Sequence, residues 1–512
     1  MRSAVVFGLV GLCLPLTAGA QSTQPTPRAL SLRECIDLAL RHNLDVQIER
    51  YGPDIERFYL KGAYGAYEPV FNFRAERMFL DQPGSFDPKK SGVDFPYELT
   101  TDSVGPGLSG RLPSGLTYDL TARSDFFDAR TDFSSDPARL NDFPPRGIRY
   151  TNQYFATAGI TLRQPLLKDF WIDSNRQKIL VNKKNLKISE MTLRWQLMHT
   201  VTAVQLAYYD LIFAHEKVKD EEQFLEMARQ LFGETKRRVQ VGDLPQLDEK
   251  QAESQVETRQ SDLFAAQQDL AEKQNALRIL LTDDFKAWVD VDLRPAEGLV
   301  AVEEPFNRDE SWQNALRQRP DLLRVRAELE KQSVNVRYLH NQLFPSLDLV
   351  GSYGARGAQH AFEDAVGDVG DGQHPAHSFG VVLSVPLGNR TARNNYNASQ
   401  AQKKQAELFV KKAEQNILAQ VDNAMKLAQS VFRRVKSTHL ARVFADDALK
   451  AERKKLENGI STTFIVLEYL QRLADARAAE IRALADYNKA VAQFALSEGA
   501  TLEKNQLTLE VR

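Results

Sequence analysis

His360, His374 and His377 stand in one stretch with Glu363, Asp364, Asp368 and Asp371. Imidazoles and carboxylates together are ligands for hard or borderline divalent cations. Their spacing matches no defined metal loop, and an acidic, solvated surface loop over about residues 355–378 accounts for them more simply. The remaining histidines, His42, His199, His215, His340 and His439, are scattered along helical stretches. No GxSxG, HExxH, P-loop or GxGxxG is present, so nothing anchors a nucleophile, a zinc hydrolase or a phosphate cradle. Cys13 lies in an N-terminal apolar segment and leaves Cys35 alone, which excludes a disulfide framework and a CxxC site. The residue types therefore argue for no enzyme, no metal and no cofactor. A secreted hydrolase with His374 and His377 on a metal ranks last among the alternatives.

The 512 residues carry 66 Lys+Arg against 68 Asp+Glu, a net charge of −2. That balance excludes a basic nucleic-acid groove. With 26% charged residues and no long uninterrupted apolar run after the start, the chain has no spanning helix of ~18–20 residues. Residues 1–20 read as a signal peptide: Arg2, the apolar run Ala4 to Leu16, then Ala18-Gly19-Ala20 before Gln21. Residues 21–30 read as a disordered polar spacer.

What must position any functional group is a chain written twice. Ala39-Leu40-Arg41 aligns with Ala315-Leu316-Arg317, and the same offset places Asp45 on Asp321 and Pro69 on Pro345. Gly159 to Leu166 aligns with Gly380 to Leu387, and Val241-Gly242-Asp243-Leu244 with Asn458-Gly459-Ile460-Ser461. Three anchors in unchanged order make duplication the better explanation than chance.

The first repeat covers 31–281, with strands about 69–80 and 154–166, an insertion about 81–152 and a helical hairpin 172–281. Residues 282–309 form a linker. The second repeat covers 310–498, with strands about 345–354 and 378–387 and a hairpin 388–498, before a tail at 499–512. Each repeat opens with a helix under a Ser or Asp cap, and Gly52-Pro53 is expected to interrupt the first copy.

The long helices carry apolar seams of alternating four and three spacing. Leu197, Val201, Val204, Tyr208 and Leu211 form one, and Ile417, Val421, Ala424, Ala428 and Val431 its copy. Such a period means helices supercoiled on neighbours. Arg259, Lys273, Arg477 and Asn488 intrude on the seams of the return helices, as suits a thin, partly solvated wall. A helix from Ile172 to Gln240 would measure about 100 Å, and a monomer cannot bury both sides of such a rod pair. Self-association follows.

The strands alternate apolar and polar, as in Phe71, Phe73 and Ala75 against Asn72, Arg74 and Glu76. A transmembrane barrel uses this pattern, and so does a small soluble sheet packed on helices. Four strands cannot close a barrel alone, whereas a trimer would supply twelve. A hairpin-like piece in the insertion, Gly107 to Arg123, turns at Pro113-Ser114-Gly115. It either adds strands to a barrel or extends above it.

The doubled Ala-Leu-Arg openings, the strands closing in Gln-Pro-Leu or Val-Pro-Leu, and the Val-Gly and Asn-Gly turns together resemble the TolC-like outer membrane efflux protein family, over about Ser31 to Glu498. The resemblance implies a mainly α fold with a β-barrel part. In it a homotrimer with four strands per subunit builds one barrel in outer-membrane lipid, and the long helices build a coiled-coil periplasmic tunnel. It implies a periplasmic adaptor protein and an inner-membrane transporter as partners, with no nucleic acid, and an iris-like opening. Val241, Gly242, Asp243 and Leu244, with Asn458, Gly459, Ile460 and Ser461, match the tips that meet the adaptor. Ile465 and Glu468 match the constriction, where the family often places acids, so one acid is kept. Asp248 matches a latch residue whose basic partner position is Ser461 here, leaving Arg453, Lys454 or Lys455 as substitutes. The alternative from a different class is a periplasmic coiled-coil adaptor or scaffold. The exported substrate, whether drug, metal ion, polysaccharide, peptide or protein, is not encoded in these motifs.

Overall fold

The computed structural model describes residues 26–86, 93–94, 96–132 and 147–507. The expected signal peptide lies outside them. Strand β1 (Thr26–Leu30) leads to helix α1 (Leu32–His42), and α2 (Leu44–Tyr64) follows after one residue. Next come β2 (Val70–Gln82), the short pair β3 (Ser85–Phe86) and β4 (Val93–Asp94), then β5 (Tyr97–Arg111), β6 (Thr117–Asp132) and β7 (Ile148–Pro165). Helices α3 (Ser174–Gln240) and α4 (Gln246–Leu281) form the first long hairpin, followed by α5 (Phe285–Trp288) and β8 (Val291–Pro295). The second pass is α6 (Arg308–Gln318), α7 (Pro320–Asn341), β9 (Ser346–Gln359), α8 (Phe362–Gly370) and β10 (Pro375–Ser384). Its hairpin is α9 (Arg390–Glu457) and α10 (Thr463–Glu498), and α11 (Thr501–Lys504) ends the regular structure.

Both copies break their opening helix at equivalent places. Asn43 (ψ 126) separates α1 from α2, and Arg319 (ψ 120) separates α6 from α7. Asn43 Oδ1 accepts from Val46 N at 3.2 Å while its Nδ2 donates to Leu280 O. A short amide side chain that caps the next turn outcompetes continuation of the helix. Pro53, by contrast, lies inside α2 without interrupting it. The expected break at Gly52-Pro53 therefore falls earlier. Ser31 caps α1 in a capping box with Glu34, whereas α6 starts at Arg308 and carries Asp309 in its first turn.

The chain divides into two units. The first comprises Met1–Gln47, Leu197–Trp312 and Gln420–Arg512. Here the expected spacer is shorter than read: Thr26–Leu30 pairs in parallel with Val291–Pro295. Arg28 lies over the Trp288 ring, and Tyr208 donates from its hydroxyl to Leu30 O at 3.0 Å. The seam residues Leu197, Val201, Val204, Tyr208 and Leu211 are buried, as are Val421, Ala428 and Val431. Cys35 is fully buried, and burial pushes its thiol up to about 12. An aromatic disulfide reagent at mildly alkaline pH is therefore expected to label Cys35 only after unfolding, since the thiolate is the reactive form. Labelling of the folded chain at the unfolded rate would contradict this packing.

The second unit comprises Ile48–Gln196 and Gln313–Ala419. Its centre is one antiparallel sheet in the order β10-β9-β7-β6-β5-β2. The expectation of four strands is thereby corrected to six. The Gly107–Arg123 hairpin is part of β5 and β6, which lie between β2 and β7. Its turn is tight: Leu112 N donates to Leu116 O at 2.7 Å, and Gly115 has φ +92. A Cβ at Gly115 would meet Asp169 O at 2.8 Å, so glycine is required there on two counts. The stretch 355–378 is not simply a loop. It contains the end of β9, helix α8 and the start of β10, with Ala365 buried close to Gly357.

Candidate functional site

In the second unit, pairing register assigns each sheet residue to a face. One row runs Phe71, Leu108, Leu120, Ile160, Tyr353 and His377 across all six strands. Stepping by two along each strand, the same face carries Phe73, Ala75, Val104, Pro106, Ala122, Ala158, Leu162, Leu349 and Val381. Many of these are exposed, Phe71 at 67% and Phe379 at 89%. The opposite face carries Asn72, Arg74, Glu76, Asp119, Arg123, Asp125, Arg163 and Asp348. Four of its charges form two pairs: Arg123 Nε–Asp125 Oδ1 at 2.7 Å and Arg163 Nη2–Asp348 Oδ2 at 2.5 Å. The apolar face ends at a row where Phe126 meets Tyr154 at 4.6 Å and Arg77 pairs with Asp102 at 2.6 Å. Strands β2 and β10 are the edges of this sheet.

Helix α2 adds a second exposed apolar surface. Ile48, Tyr51, Ile55 and Phe58 share one stripe at three- and four-residue spacing, with Tyr51 and Phe58 each 67% exposed.

The metal-type residues are not brought together. Among the described residues no group of three or more His, Cys, Asp or Glu is placed to hold an ion. Asp368 instead accepts from Gln359 Nε2 at 2.8 Å, securing α8 to β9.

In the first unit, the two hairpin tips are built alike. Asp243 N donates to Arg238 O and Ile460 N to Lys455 O, both at 2.8 Å, with Gly242 at φ +83 and Gly459 at φ +73. Each long helix thus stops on a left-handed glycine that closes its last turn. Val241 and Ile460 project at the tips, 79% and 77% exposed. The following helices start on Pro245 and on Thr462, whose Oγ1 accepts from Ile465 N.

The latch positions behave differently from the expectation. Ser461 Oγ donates to Glu452 Oε1 at 2.5 Å, and Lys455 reaches the other oxygen of Glu452 at 2.9 Å. The Ser461 bond, then Lys455, holds the Glu452 carboxyl below the usual range. Lys455 is thus committed within its own hairpin. Arg453 lines a 590 Å³ cleft with Glu234, Arg237, Arg238, Asp243 and Glu457. Asp248 has no ion pair among the described residues. Glu468 is exposed and pairs with Arg472 at 2.6 Å, one helical turn on.

A buried residue that binds the two hairpins together is Arg259, read from the sequence only as a seam intrusion into a partly solvated wall. Its side chain is 2% exposed. From α4 its guanidinium donates to Gln471 on α10 and faces Glu221 on α3 at 3.7 Å and Asp262 at 3.5 Å. It also lies over the Phe224 ring at 5.7 Å, with Arg477 of α10 over the same ring at 5.4 Å. Arg477 in turn reaches Asp220 at 3.6 Å and donates to Gln223 at 3.1 Å. Burial raises both Glu221 and Asp220 above the usual carboxylate range, with Arg259 and Arg477 respectively pulling them back. Around this node Leu467, Leu470 and Leu473 of α10 pack with Phe224 and Leu231 of α3 and Leu449 of α9.

Comparison with known proteins gives a consistent picture. The family model described as outer membrane efflux protein matches residues 131–282 and 312–500. A probable outer membrane lipoprotein SilC from Salmonella typhimurium is 22% identical over 286 residues, and the chain spans 56% of that relative's length. Among solved structures, the outer-membrane channel OprN superposes with a TM-score of 0.66 at 16% identity, covering 92% of this chain and 90% of that one. The Campylobacter jejuni CmeC outer membrane channel superposes with a TM-score of 0.65 at 15% identity, covering 100% and 99%. These structural likenesses carry the fold.

Proposed function

The chain belongs to the outer membrane efflux protein family, which places it in the outer membrane as a channel rather than an enzyme, and on that premise we propose that three copies form a gated exit duct. The sheet sits in the membrane, and the helical hairpins form a periplasmic tunnel whose tips meet an adaptor and, through it, an inner-membrane transporter. The observation that carries this reading is the sheet with one continuous apolar face, one charged face and two open edges. Open edges in lipid leave backbone groups without partners, so the sheet must close through further copies. Residues Leu347 to Gly357, at the usual tilt, rise about 25 Å, the height of a lipid-facing band. The exposed stripe on α2 has the character of a surface covered by another copy. Among the described residues no helix is long and apolar enough to cross a membrane.

Conduction is passive, with no chemistry on the solute. The closed state is held where α10 meets α3 and α4 through Arg259 and Arg477, and opening swings α9 and α10 outward. Reconstituted in planar bilayers, the full chain is expected to insert as a low-conductance pore. Failure to insert, or a soluble product, would contradict the assignment.

At the narrow end three copies of Glu468 would face one another, each already neutralised by its own Arg472. Glu468→Ala is therefore expected to change block by multivalent cations less than about twofold. Arg472→Ala would unmask a ring of carboxylates and tighten block about tenfold. Unchanged block in Arg472→Ala would remove Glu468 from the pore lining.

A further inference from the structure

The inserted hairpin β5–β6 has no counterpart in the second repeat, where β9 and β10 pair directly. Yet the hairpin is built as wall. Strand β5 pairs with β2 from Val70↔Ser109 to Gln82↔Tyr97, and β6 pairs with β7 from Thr117↔Arg163 to Asp132↔Ile148. An extension above the membrane would pair only at the upper ends of these strands.

The face pattern continues across it without a step. Val104, Pro106, Leu108, Tyr118, Leu120 and Ala122 bridge the apolar side between β2 and β7. On the other side Arg123 and Asp125 pair with each other, and Ser103 Oγ donates to Asp125 at 2.5 Å. Charges of this kind suit water, and the apolar row suits lipid. The turn is fixed at the opposite end of the strands from the β2–β5 connection, with Gln164 Nε2 donating to Ser114 O at 3.1 Å.

We infer that the inserted hairpin widens the outer-membrane pore: three copies of six strands close a barrel of eighteen, where four per copy would give twelve. The inference rests on the proposed trimeric channel. At ~4.8 Å between strands and ~40° tilt, eighteen strands enclose ~36 Å between backbones against ~24 Å for twelve. The lumen, lined by charged and polar side chains, then admits hydrated polar solutes too wide for the narrower barrel. The cargo class it fits is a bulky hydrophilic molecule.

The test is electron cryo-microscopy of the full chain in lipid nanodiscs, with graded poly(ethylene glycol)s added to the extracellular side in planar bilayers. Eighteen strands around the pore are expected. Excising residues 97–147 brings β2 to β7 and should reduce the polymer diameter admitted from that side about 1.5-fold. A trimer with twelve strands and the hairpin outside the wall would overturn the inference and leave the channel assignment standing. A full-length pore that admits no larger polymer than the excised variant would also overturn it. If the excised chain does not assemble, the strand count of the intact trimer decides. Absence of a membrane-inserted trimer would remove both the channel assignment and the inference.

Discussion

Arg259→Ala is expected to produce a leaky channel, with bilayer conductance raised about tenfold and large hydrophilic antibiotics entering the producing cell. Arg259 is a buried cation reaching three helices, and its removal leaves Glu221 buried without its counter-ion. Breaking a buried pair in this way costs about 3–5 kcal/mol, which falls on the closed arrangement if opening hydrates the node. A shift of that size changes the ratio of closed to open by about 10²–10⁴. Adding Glu221→Gln to Arg259→Ala removes the carboxylate left without a counter-ion, and the double variant should leak much less.

The same node sets a pH dependence. Glu221 and Asp220 are raised by burial, so the closed form binds protons more readily than a hydrated open form. Closure is favoured at low pH and weakens as pH rises through the raised values. Parent-like conductance in Arg259→Ala, with the trimer intact, would remove the latch from the node.

The second large effect is expected at the tips. Val241→Glu together with Ile460→Glu should abolish efflux, lowering resistance to an exported compound at least about tenfold. Both side chains are more than three-quarters exposed, so a charge there costs the fold within about 0.5 kcal/mol. Loss of export with a normal amount of trimer would mean that these tips touch a partner through apolar contact. Full retention of efflux in the double variant would contradict adaptor docking at this place.

The repeated plan was legible because both copies spell it with the same local signals. Gly242 and Gly459 end long helices, and the seam residues Leu197 to Leu211 keep one period and one buried face. The strands of the insertion were legible only as alternation: Leu116 to Arg123 reads the same in a free hairpin as within a larger sheet. What decides is pairing with β2 and β7, a long-range property no short window contains. Pairing of Thr26–Leu30 with Val291–Pro295 was hidden for the same reason. Arg259 was visible as a charge in an apolar seam, but its burial depends on Phe224, Glu221 and Gln471 arriving from other helices. Ser461 shows the limit of carrying a role across a motif. Serine cannot be the basic latch, and it instead ties Glu452 beside the tip.

The most direct measurement of the central claim is fractionation of the producing cell, with unheated and boiled outer-membrane samples compared by gel electrophoresis. A species near three times the monomer mass that collapses on boiling is the predicted result. A monomer in the soluble periplasmic fraction would contradict the trimeric channel.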